Sequence, residues 1–279
     1  MPFIASLPKG SLTSTATTAL ALLPVAAPVA YFLYWNWRIG SITASNSGRF
    51  EAKRTATAAD STGIEPPKSL PKEVTEDPSQ WVVSFERVVS RPVSLADLAN
   101  HIDVQNSEAT KLSVLFKSYL RATHKAFSWT PQAFLIRSLL KEPLNRGSFD
   151  AKWIENLEFK DGDIVNGVYK VSHASSDPNT NSERVELLID IPASYKGSPV
   201  RGLILSATEP NQVAGTASVE PEDKISFINE TWMWRLKEEK PTMLESRVGG
   251  WFHGLLAGWL VIKGLDGLGF QTQTKPKVQ

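Results

Sequence analysis

The sequence contains no cysteine, so disulfide bridges, thiolate catalysis and cysteine-ligated metals are excluded. Its 4 histidines are scattered and never fall at the spacing of a paired-histidine metal motif. Neither a glycine-rich phosphate loop nor a Gly-x-Ser-x-Gly nucleophile elbow occurs. We therefore expect no metal and no other cofactor, and the motif search argues against a nucleotide-driven enzyme or a hydrolase.

An excess of charge of one sign is also lacking. The chain has 30 basic and 29 acidic residues, which gives a formal net charge of +1, so we expect no nucleic-acid partner. Its hydrophobic fraction of 42% is ordinary and sufficient for a core. Aromatic residues are plentiful by contrast, and the 9 tryptophans suit either a core or an aromatic-lined pocket.

No charged residue occurs between Gly10 and Trp37. Within this stretch residues 17–35 are mostly apolar and, at ~1.5 Å per residue, are long enough to cross the ~30 Å hydrocarbon layer. Tyrosine and tryptophan crowd its C-terminal end, as is typical of a membrane interface. A cleaved signal peptide is the alternative, but Lys9 is the only early positive charge and the run ends in bulky aromatics. We predict that residues 1–40 form a single-pass membrane anchor.

Basic residues are concentrated after the predicted span. Arg38, Arg49, Lys53 and Arg54 follow it, and basic flanks favour the cytosolic side of a membrane. We therefore expect a protein of the endoplasmic reticulum membrane with its C-terminal domain in the cytosol.

The remaining chain falls into three regions of different composition. Residues 41–80 are rich in serine, threonine, alanine and proline, which predicts a flexible linker. Residues 81–268 have the apolar patterns of a folded domain, and residues 269–279 form a polar tail. The patterns predict strands over 81–89, 153–159, 163–172, 184–191, 201–208 and 224–236. They predict helices from 95 onward and over 111–123, 131–140 and 241–264.

The predicted order is therefore strand, helices, antiparallel strands and a long C-terminal helix. This order over residues 81–268, with residues 81–92 leading into a helix and residues 245–256 closing the fold, resembles the helix-grip superfamily. That superfamily includes START lipid-transfer domains, Bet v 1 allergens and aromatic polyketide cyclases. The resemblance implies an α+β fold in which a curved antiparallel sheet grips the long C-terminal helix, here with an N-terminal transmembrane helix added. It implies a ligand cavity between sheet and helix, but no particular reaction.

The strand predicted over 224–236 carries the first candidate site. Glu230, Trp232 and Trp234 alternate onto one side of this strand. A carboxylate flanked by two indoles could be a catalytic acid or base with a raised pKa above a tryptophan floor that binds substrate. The alternative is an arginine-paired carboxylate beside tryptophans that pack in the core.

The predicted C-terminal helix carries the second candidate. Gly249 and Gly250 would bring it close to the sheet, so that His253 points toward the cavity as a further catalytic group. The alternatives are a structural histidine at the edge of a packed helix, or a segment at 251–262 that dips into the membrane surface. The remaining candidates for substrate binding are aromatic residues: Tyr169, Trp129 and Trp251.

The sequence carries none of the standard metal, nucleotide or nucleophile motifs, which fits an enzyme that needs no cofactor. We expect a cyclase or isomerase, including a pericyclic one, that folds a hydrophobic polyketide or terpenoid intermediate of secondary metabolism in an aromatic cavity. Holding reacting atoms close contributes up to ~7–11 kcal/mol. The alternatives are a membrane-tethered protein that binds or transfers a lipid or sterol, and a non-catalytic adaptor with a filled core. Buried protic groups on the cavity wall would favour the enzyme, and an almost wholly apolar wall would favour the carrier.

Overall fold

The computed structural model describes residues 29–50, 64–99, 112–192, 195, 199–210 and 224–270. The chain divides into two compact units, residues 1–41 and residues 42–279. Residues 29–42 are helical and are called α1. Several large side chains of α1 are exposed: Val29, Tyr31, Phe32, Leu33, Tyr34 and Trp37. Residues 1–28, which carry most of the predicted span, lie outside the described residues.

The second unit is built on one antiparallel sheet. Its eight strands are β1 (Thr43–Phe50), β2 (Trp81–Ser90), β3 (Val93–Ser94), β4 (Ile164–Val165), β5 (Tyr169–Asp177), β6 (Ser182–Ile189), β7 (Gly202–Pro210) and β8 (Lys224–Leu236). They lie in the order β1-β2-β8-β7-β6-β5-β4, and the short β3 also pairs with β8. Together with a long C-terminal helix, this sheet confirms the predicted α+β class.

The helices lie mostly between β3 and β4. They are α2 (Lys72–Glu76), α3 (Leu95–Ala99), α4 (Val114–Phe127), α5 (Pro131–Leu139), α6 (Pro143–Gly147), α7 (Ala151–Glu155) and α8 (Arg247–Gly267), with a 3-10 helix at Met243–Glu245. Ser113 caps α4 by accepting a hydrogen bond from the backbone of Phe116. Thr130 caps α5 in the same way, with Pro131 at its first position. Local sequence signals thus set where these two helices begin.

The long strand β8 is the centre of the sheet. It pairs with β2 on one side and β7 on the other. Its residues 225–232 are all buried, because both faces of the sheet are covered at this strand. A near-continuous run of apolar and β-branched residues is what such a doubly covered strand requires.

The two faces of the sheet are covered by different parts of the chain. On one face Glu86 of β2 contacts His253 of α8, and the ring centroid of Phe227 lies 4.5 Å from that of Tyr119 in α4. We call this the helix face. Neighbouring residues along each strand point to the opposite side. On that side Leu70 and Val74, from the segment 64–76, pack into a core with Trp232. We call this the loop face.

Glycines let α8 approach its neighbours closely. A Cβ atom at Gly254 would lie 2.5 Å from Oε1 of Glu86, and one at Gly264 would overlap the Tyr119 ring. A side chain at 264 would push the helix away from the Tyr119 ring, and one at 254 would displace the Glu86 carboxylate that pairs with His253. The helix packs against α4, β1 and β2.

The prediction of a flexible linker over residues 41–80 is wrong for its described parts. Residues 43–50 form β1, which pairs along its whole length with β2. Residues 64–80 include α2 and the buried Leu70 and Val74. The cause is that β1 is an edge strand of small polar residues, for which hydrogen bonding to β2 substitutes for an apolar pattern. Residues 51–63 lie outside the described residues.

The prediction of a strand over 153–159 is also wrong, because this stretch contributes to the short helix α7 and a following loop. Its seven residues, with apolar side chains at 153, 154, 157 and 159, are too few for periodicity to separate strand from helix. Ile154 is fully buried, and α7 packs against α4.

Among the described residues, α8 is the one helix long and apolar enough to cross a membrane, judged by length and composition alone. Its most apolar window has a mean hydropathy of 1.2, and 39% of that window is buried within the protein. A buried core helix passes the same test. The helix therefore combines a packed side with an apolar outer side.

Candidate functional site

Glu230 is held in an ion pair on the loop face. Its carboxylate accepts a hydrogen bond of 2.6 Å from Arg87 and one of 2.7 Å from Nε1 of Trp232. Arg87 stands directly opposite Glu230 in the pairing of β2 with β8, and it also donates to both oxygens of Glu209 at 3.0 Å. The Glu230 side chain is only 2% exposed. Both oxygens of this buried carboxylate are occupied by protein donors, so the arrangement is that of the structural alternative.

The two predicted tryptophans of β8 belong to the same closed core. Trp232 is completely buried, with its ring stacked at 5.2 Å on Phe85 and edge-on at 5.5 Å to Phe50. Trp234 is buried in the same cluster. Their ring faces are covered by protein, so these tryptophans act as packing residues.

A second buried carboxylate fastens the segment 64–76 onto the loop face. Glu186 of β6 is fully buried and accepts backbone hydrogen bonds from Lys68 at 2.9 Å and Ser69 at 2.7 Å. Its Oε1 also accepts from Nε of Arg184 at 2.7 Å. Burial alone raises the pKa of Glu186, but the hydrogen bonds from Ser69 and Lys68 and the charge of Arg184 outweigh it and hold the pKa below its usual value. These contacts of Glu186 therefore hold residues 68 and 69 against the loop face.

His253 lies on the opposite face of the sheet. Its Nδ1 is hydrogen-bonded to Glu86, and both side chains are largely buried. Glu86 pairs with Thr231 in the β2–β8 register, so it points away from Glu230. The prediction that His253 shares one cavity with Glu230, Trp232 and Trp234 is therefore wrong. Strand alternation placed the three β8 residues together, but β8 is apolar on both faces and its pattern does not show which face receives α8.

The helix face carries an apolar cleft between α5 and the sheet. We call it the α5 cleft, and its volume is about 300 Å³. Exposed side chains line its mouth: Leu135, Leu139, Tyr195, Val200 and Met243. Less accessible side chains from β5 to β8 line its floor: Tyr169, Ile189, Ile204, Thr231 and Met233. Most of this wall is apolar, so the cleft suits a hydrophobic group.

Tyr169 is the one predicted site residue that lines this cleft. It is buried at the start of β5, with its ring edge-on to Phe127 at 5.9 Å. Burial raises the pKa of its phenol to about 12, because the charged phenolate is poorly solvated there. At neutral pH the hydroxyl therefore keeps its proton and can donate a hydrogen bond.

The other two predicted aromatic residues lie outside the α5 cleft. Trp129 is 78% exposed and lines a separate cleft of about 310 Å³ beside Phe134. That second cleft also contains the exposed ion pair of Arg137 with Asp150, at 3.1 Å. Trp251 is on the outer side of α8 and half exposed. The structure thus distributes the seven predicted side chains over several sites.

An ion-pair clamp fixes the start of α8 next to the α5 cleft. Oε1 and Oε2 of Glu245 accept hydrogen bonds from Arg235 at 2.7 Å and 2.9 Å, and the backbone of Thr242 donates at 2.8 Å. These bonds, with the charges of Arg235 and Arg49, lower the pKa of Glu245 to about 2. The clamp positions the 3-10 helix, and Met243 within that helix reaches the mouth of the cleft.

Sequence reasoning missed the α5 side of the cleft. Leu135, Ile136 and Leu139 were recognised only as part of a short apolar helix. In the structure α5 buries only Ala133 fully and leaves most of its large apolar residues on the outside. Burial, however, is a tertiary property, and no residue type in this wall is distinctive.

Within the described ranges no group of three or more histidine, aspartate or glutamate side chains is placed to hold a metal ion. No protein-family model, curated protein or solved structure matches this chain. Its function is therefore inferred from the geometry of its own residues.

Proposed function

We propose that the sheet domain binds a hydrophobic small molecule or a lipid chain in the α5 cleft. The observation that carries this proposal is an apolar space of about 300 Å³ that is open at a mouth of exposed apolar side chains. This volume falls at the lower end of the range for small-molecule sites. Grouped exposed apolar side chains are uncommon on a soluble surface that has no ligand or partner.

Binding or transfer of a lipid or sterol is the first candidate. The protic side chains of the cleft are Gln132, Tyr169, Tyr195 and Thr231. General acid–base catalysis usually relies on histidine or carboxylate side chains, and none of these four residues is of that type. The carboxylates Glu230 and Glu86 are engaged by Arg87 and His253 elsewhere.

A cofactor-independent cyclase or isomerase is the second candidate, and Tyr169 favours it. A protonated phenol in an apolar floor can donate a hydrogen bond to a substrate carbonyl and raise its electrophilicity. The substrate would be a hydrophobic polyketide or terpenoid intermediate, held in a reactive conformation by the wall of the cleft. A non-catalytic adaptor would instead have no ligand in this space.

We further propose that residues 1–40 anchor the protein in the endoplasmic reticulum membrane, with the domain in the cytosol. The uncharged segment before Arg38, the exposed aromatic side chains of α1 and the basic residues after it support this orientation. Protease treatment of intact microsomes tests it, and protection of the C-terminal domain would reverse the orientation. The Asn229 sequon lies buried within β8, so the folded domain offers it no access to glycosylation.

A cleft-filling variant tests the binding site. The full-length chain is purified, its co-purifying small molecules are identified by mass spectrometry, and a fluorescent fatty acid is titrated against it. Ile204→Trp fills the floor of the cleft and is expected to weaken probe binding by at least about tenfold, or ~1.4 kcal/mol. Leu144→Trp adds the same side chain at an exposed site outside the cleft and is the matched control. Equal affinity of both variants and the wild type would remove the α5 cleft from consideration.

Tyr169→Phe separates the two candidates. It removes one hydroxyl and leaves the apolar wall in place, so a carrier should bind its ligand almost unchanged. An enzyme that uses this phenol should instead lose turnover of the co-purified metabolite by about 10²-fold or more, with little change in its dissociation constant. Retention of full turnover would exclude Tyr169 as a catalytic group.

A further inference from the structure

We propose that the first turns of α8 and the adjacent 3-10 helix dock on a lipid bilayer, so that the mouth of the α5 cleft opens toward the membrane. We call the surface formed by Met243, Val248, Trp251 and Phe252 the docking face. The docking itself is independent of what the cleft binds. Direct exchange of a ligand between bilayer and cleft rests on the proposed function.

The docking face is apolar and accessible. Val248 is 75% exposed, Phe252 62% and Trp251 50%, and they lie at positions i, i+3 and i+4 of α8, which share one side of a helix. Further along the same side, Leu255 and Trp259 are only partly accessible as the helix enters the core. The accessible apolar side thus belongs to the end of α8 that lies next to the 3-10 helix.

The charges around the docking face match a lipid surface. From residue 246 to residue 262 the chain contains no acidic residue. Glu245 just before it is buried and paired with Arg235, whereas Arg247 is exposed. In the preceding segment the exposed Lys237, Glu238 and Lys240 together carry a net charge of +1. Indole and phenyl rings next to exposed basic side chains are typical of helices that lie in a membrane interface, where the cations face anionic lipid headgroups.

The proposed N-terminal anchor would also keep this domain near a membrane. The predicted span ends at Trp35, and β1 begins at Thr43. Even a fully extended connection over these positions reaches only about 30 Å, at ~3.3–3.6 Å per residue. Whatever the relative orientation of the two units, the bilayer is always within reach of the domain, and this makes a lipid surface the occupant that we propose.

The docking face and the cleft share a residue. Met243 belongs to the first and lines the mouth of the second. Because Glu245 is clamped by Arg235, the 3-10 helix is held at one end of the sheet, where β8 ends and β7 begins. A bilayer in contact with Met243 and Val248 would therefore cover or adjoin the mouth of the cleft.

Site-specific fluorescence tests the docking. The chain has no native cysteine, so single cysteines can be labelled directly with an environment-sensitive dye. Val248→Cys places the dye on the docking face. Asn179→Cys places it in the exposed β5–β6 turn, at the opposite end of the sheet from Met243, and is the matched control. Both full-length proteins are reconstituted in vesicles of phosphatidylcholine and phosphatidylserine, with and without lipids that carry a quencher on the acyl chain.

The dye at position 248 should be blue-shifted and strongly quenched by the acyl-chain quencher, and the dye at position 179 should be neither. Equal, weak quenching at both positions would overturn the proposal. So would a blue shift at position 248 without lipid quenching, because it would mean that protein covers this face.

A double substitution tests the link to the cleft. Trp251→Glu with Phe252→Glu should slow transfer of a fluorescent fatty acid from vesicles to the protein by at least about tenfold, with its equilibrium affinity unchanged. The matched control is Leu144→Glu, which adds a carboxylate at an exposed apolar site of α6. An unchanged transfer rate would overturn the role of docking in ligand exchange. If the wild type binds no fatty acid, the proposed function fails, while the quenching at position 248 still decides the docking.

Discussion

The two faces of the sheet bury very different chemistry. The loop face encloses Trp232 together with two carboxylates, Glu230 and Glu186, each satisfied by an arginine and further hydrogen bonds. The helix face has a tight contact between α8 and β2 at one place and an open apolar cleft at another. The conspicuous residues of β8 therefore lie on the closed face, and the accessible space lies on the face that buries the Glu86–His253 pair, in a wall of mostly ordinary apolar residues.

This difference shows that residues with a catalytic appearance in the sequence need not be accessible to a ligand. A buried carboxylate beside tryptophans resembles a catalytic site in sequence, but burial imposes the same requirement for partners on a structural carboxylate. A ligand cleft needs mainly unfilled apolar space, which ordinary leucine and isoleucine side chains supply. Four substitutions can break or sharpen this comparison, and they are given in order of decreasing expected effect.

Trp232→Ala should have the largest effect, because it opens a cavity in the closed loop-face core. We expect a loss of ~3–5 kcal/mol in the free energy of unfolding, measured by urea denaturation. Trp129→Ala removes the same side chain from an exposed position and should cost within ~0.5 kcal/mol. Similar losses in the two variants would contradict the assignment of Trp232 to the core.

Arg87→Ala should be the next most damaging, because it leaves Glu230 buried without its cation. Removing one partner of a buried ion pair costs ~3–5 kcal/mol of stability. Because Arg87 and Glu209 are partly exposed to solvent, we expect a loss near the lower value. Glu230→Gln keeps a hydrogen-bond acceptor for Trp232 and should cost less. If Glu230→Gln proves the more harmful of the two, the carboxylate has a role beyond pairing.

Acid should weaken the clamp at the start of α8. The pKa of Glu245 is about 2 in the folded protein against an ordinary 4.5, so its stabilisation is complete above pH ~4.5 and is lost as the pH falls toward 2. The shift corresponds to about 3–4 kcal/mol at ~1.36 kcal/mol per pKa unit, and solvent screening at the exposed Arg49 lowers this to about 2–3 kcal/mol. Urea unfolding of the wild type and of Glu245→Gln between about pH 6 and about pH 3, a range that brackets the ordinary pKa of a glutamate, measures this contribution. The difference between the two proteins should shrink as the pH falls, and a constant difference would rule out this clamp.

Leu139→Ala should have the smallest effect on stability. Leu139 is exposed at the mouth of the α5 cleft, so truncation should change the free energy of unfolding by within ~0.5 kcal/mol. Fatty-acid affinity should nonetheless fall, because part of the apolar wall is lost. A large loss of stability with intact binding would assign α5 to the core rather than to a site.

Several elements of the fold were predictable because their signals are local. The limits of β8 match the predicted strand over 224–236, where β-branched and aromatic residues are frequent. The start of α5 follows from Thr130 and Pro131. β1 was missed because its first six residues, 43–48, are small or polar, and only its pairing with β2 makes it a strand.

The sequence by itself determined the class of the fold, the order of its main elements, the absence of cysteine chemistry and the shared side of Glu230, Trp232 and Trp234. These depend on composition and on the two-residue period of a strand, which are local. Only the tertiary structure decided that Arg87 neutralises Glu230, that His253 lies across the sheet, and that the open space lies beside α5. Those outcomes depend on which face of the sheet each later segment covers, and because β8 is apolar on both faces, its sequence is compatible with either arrangement.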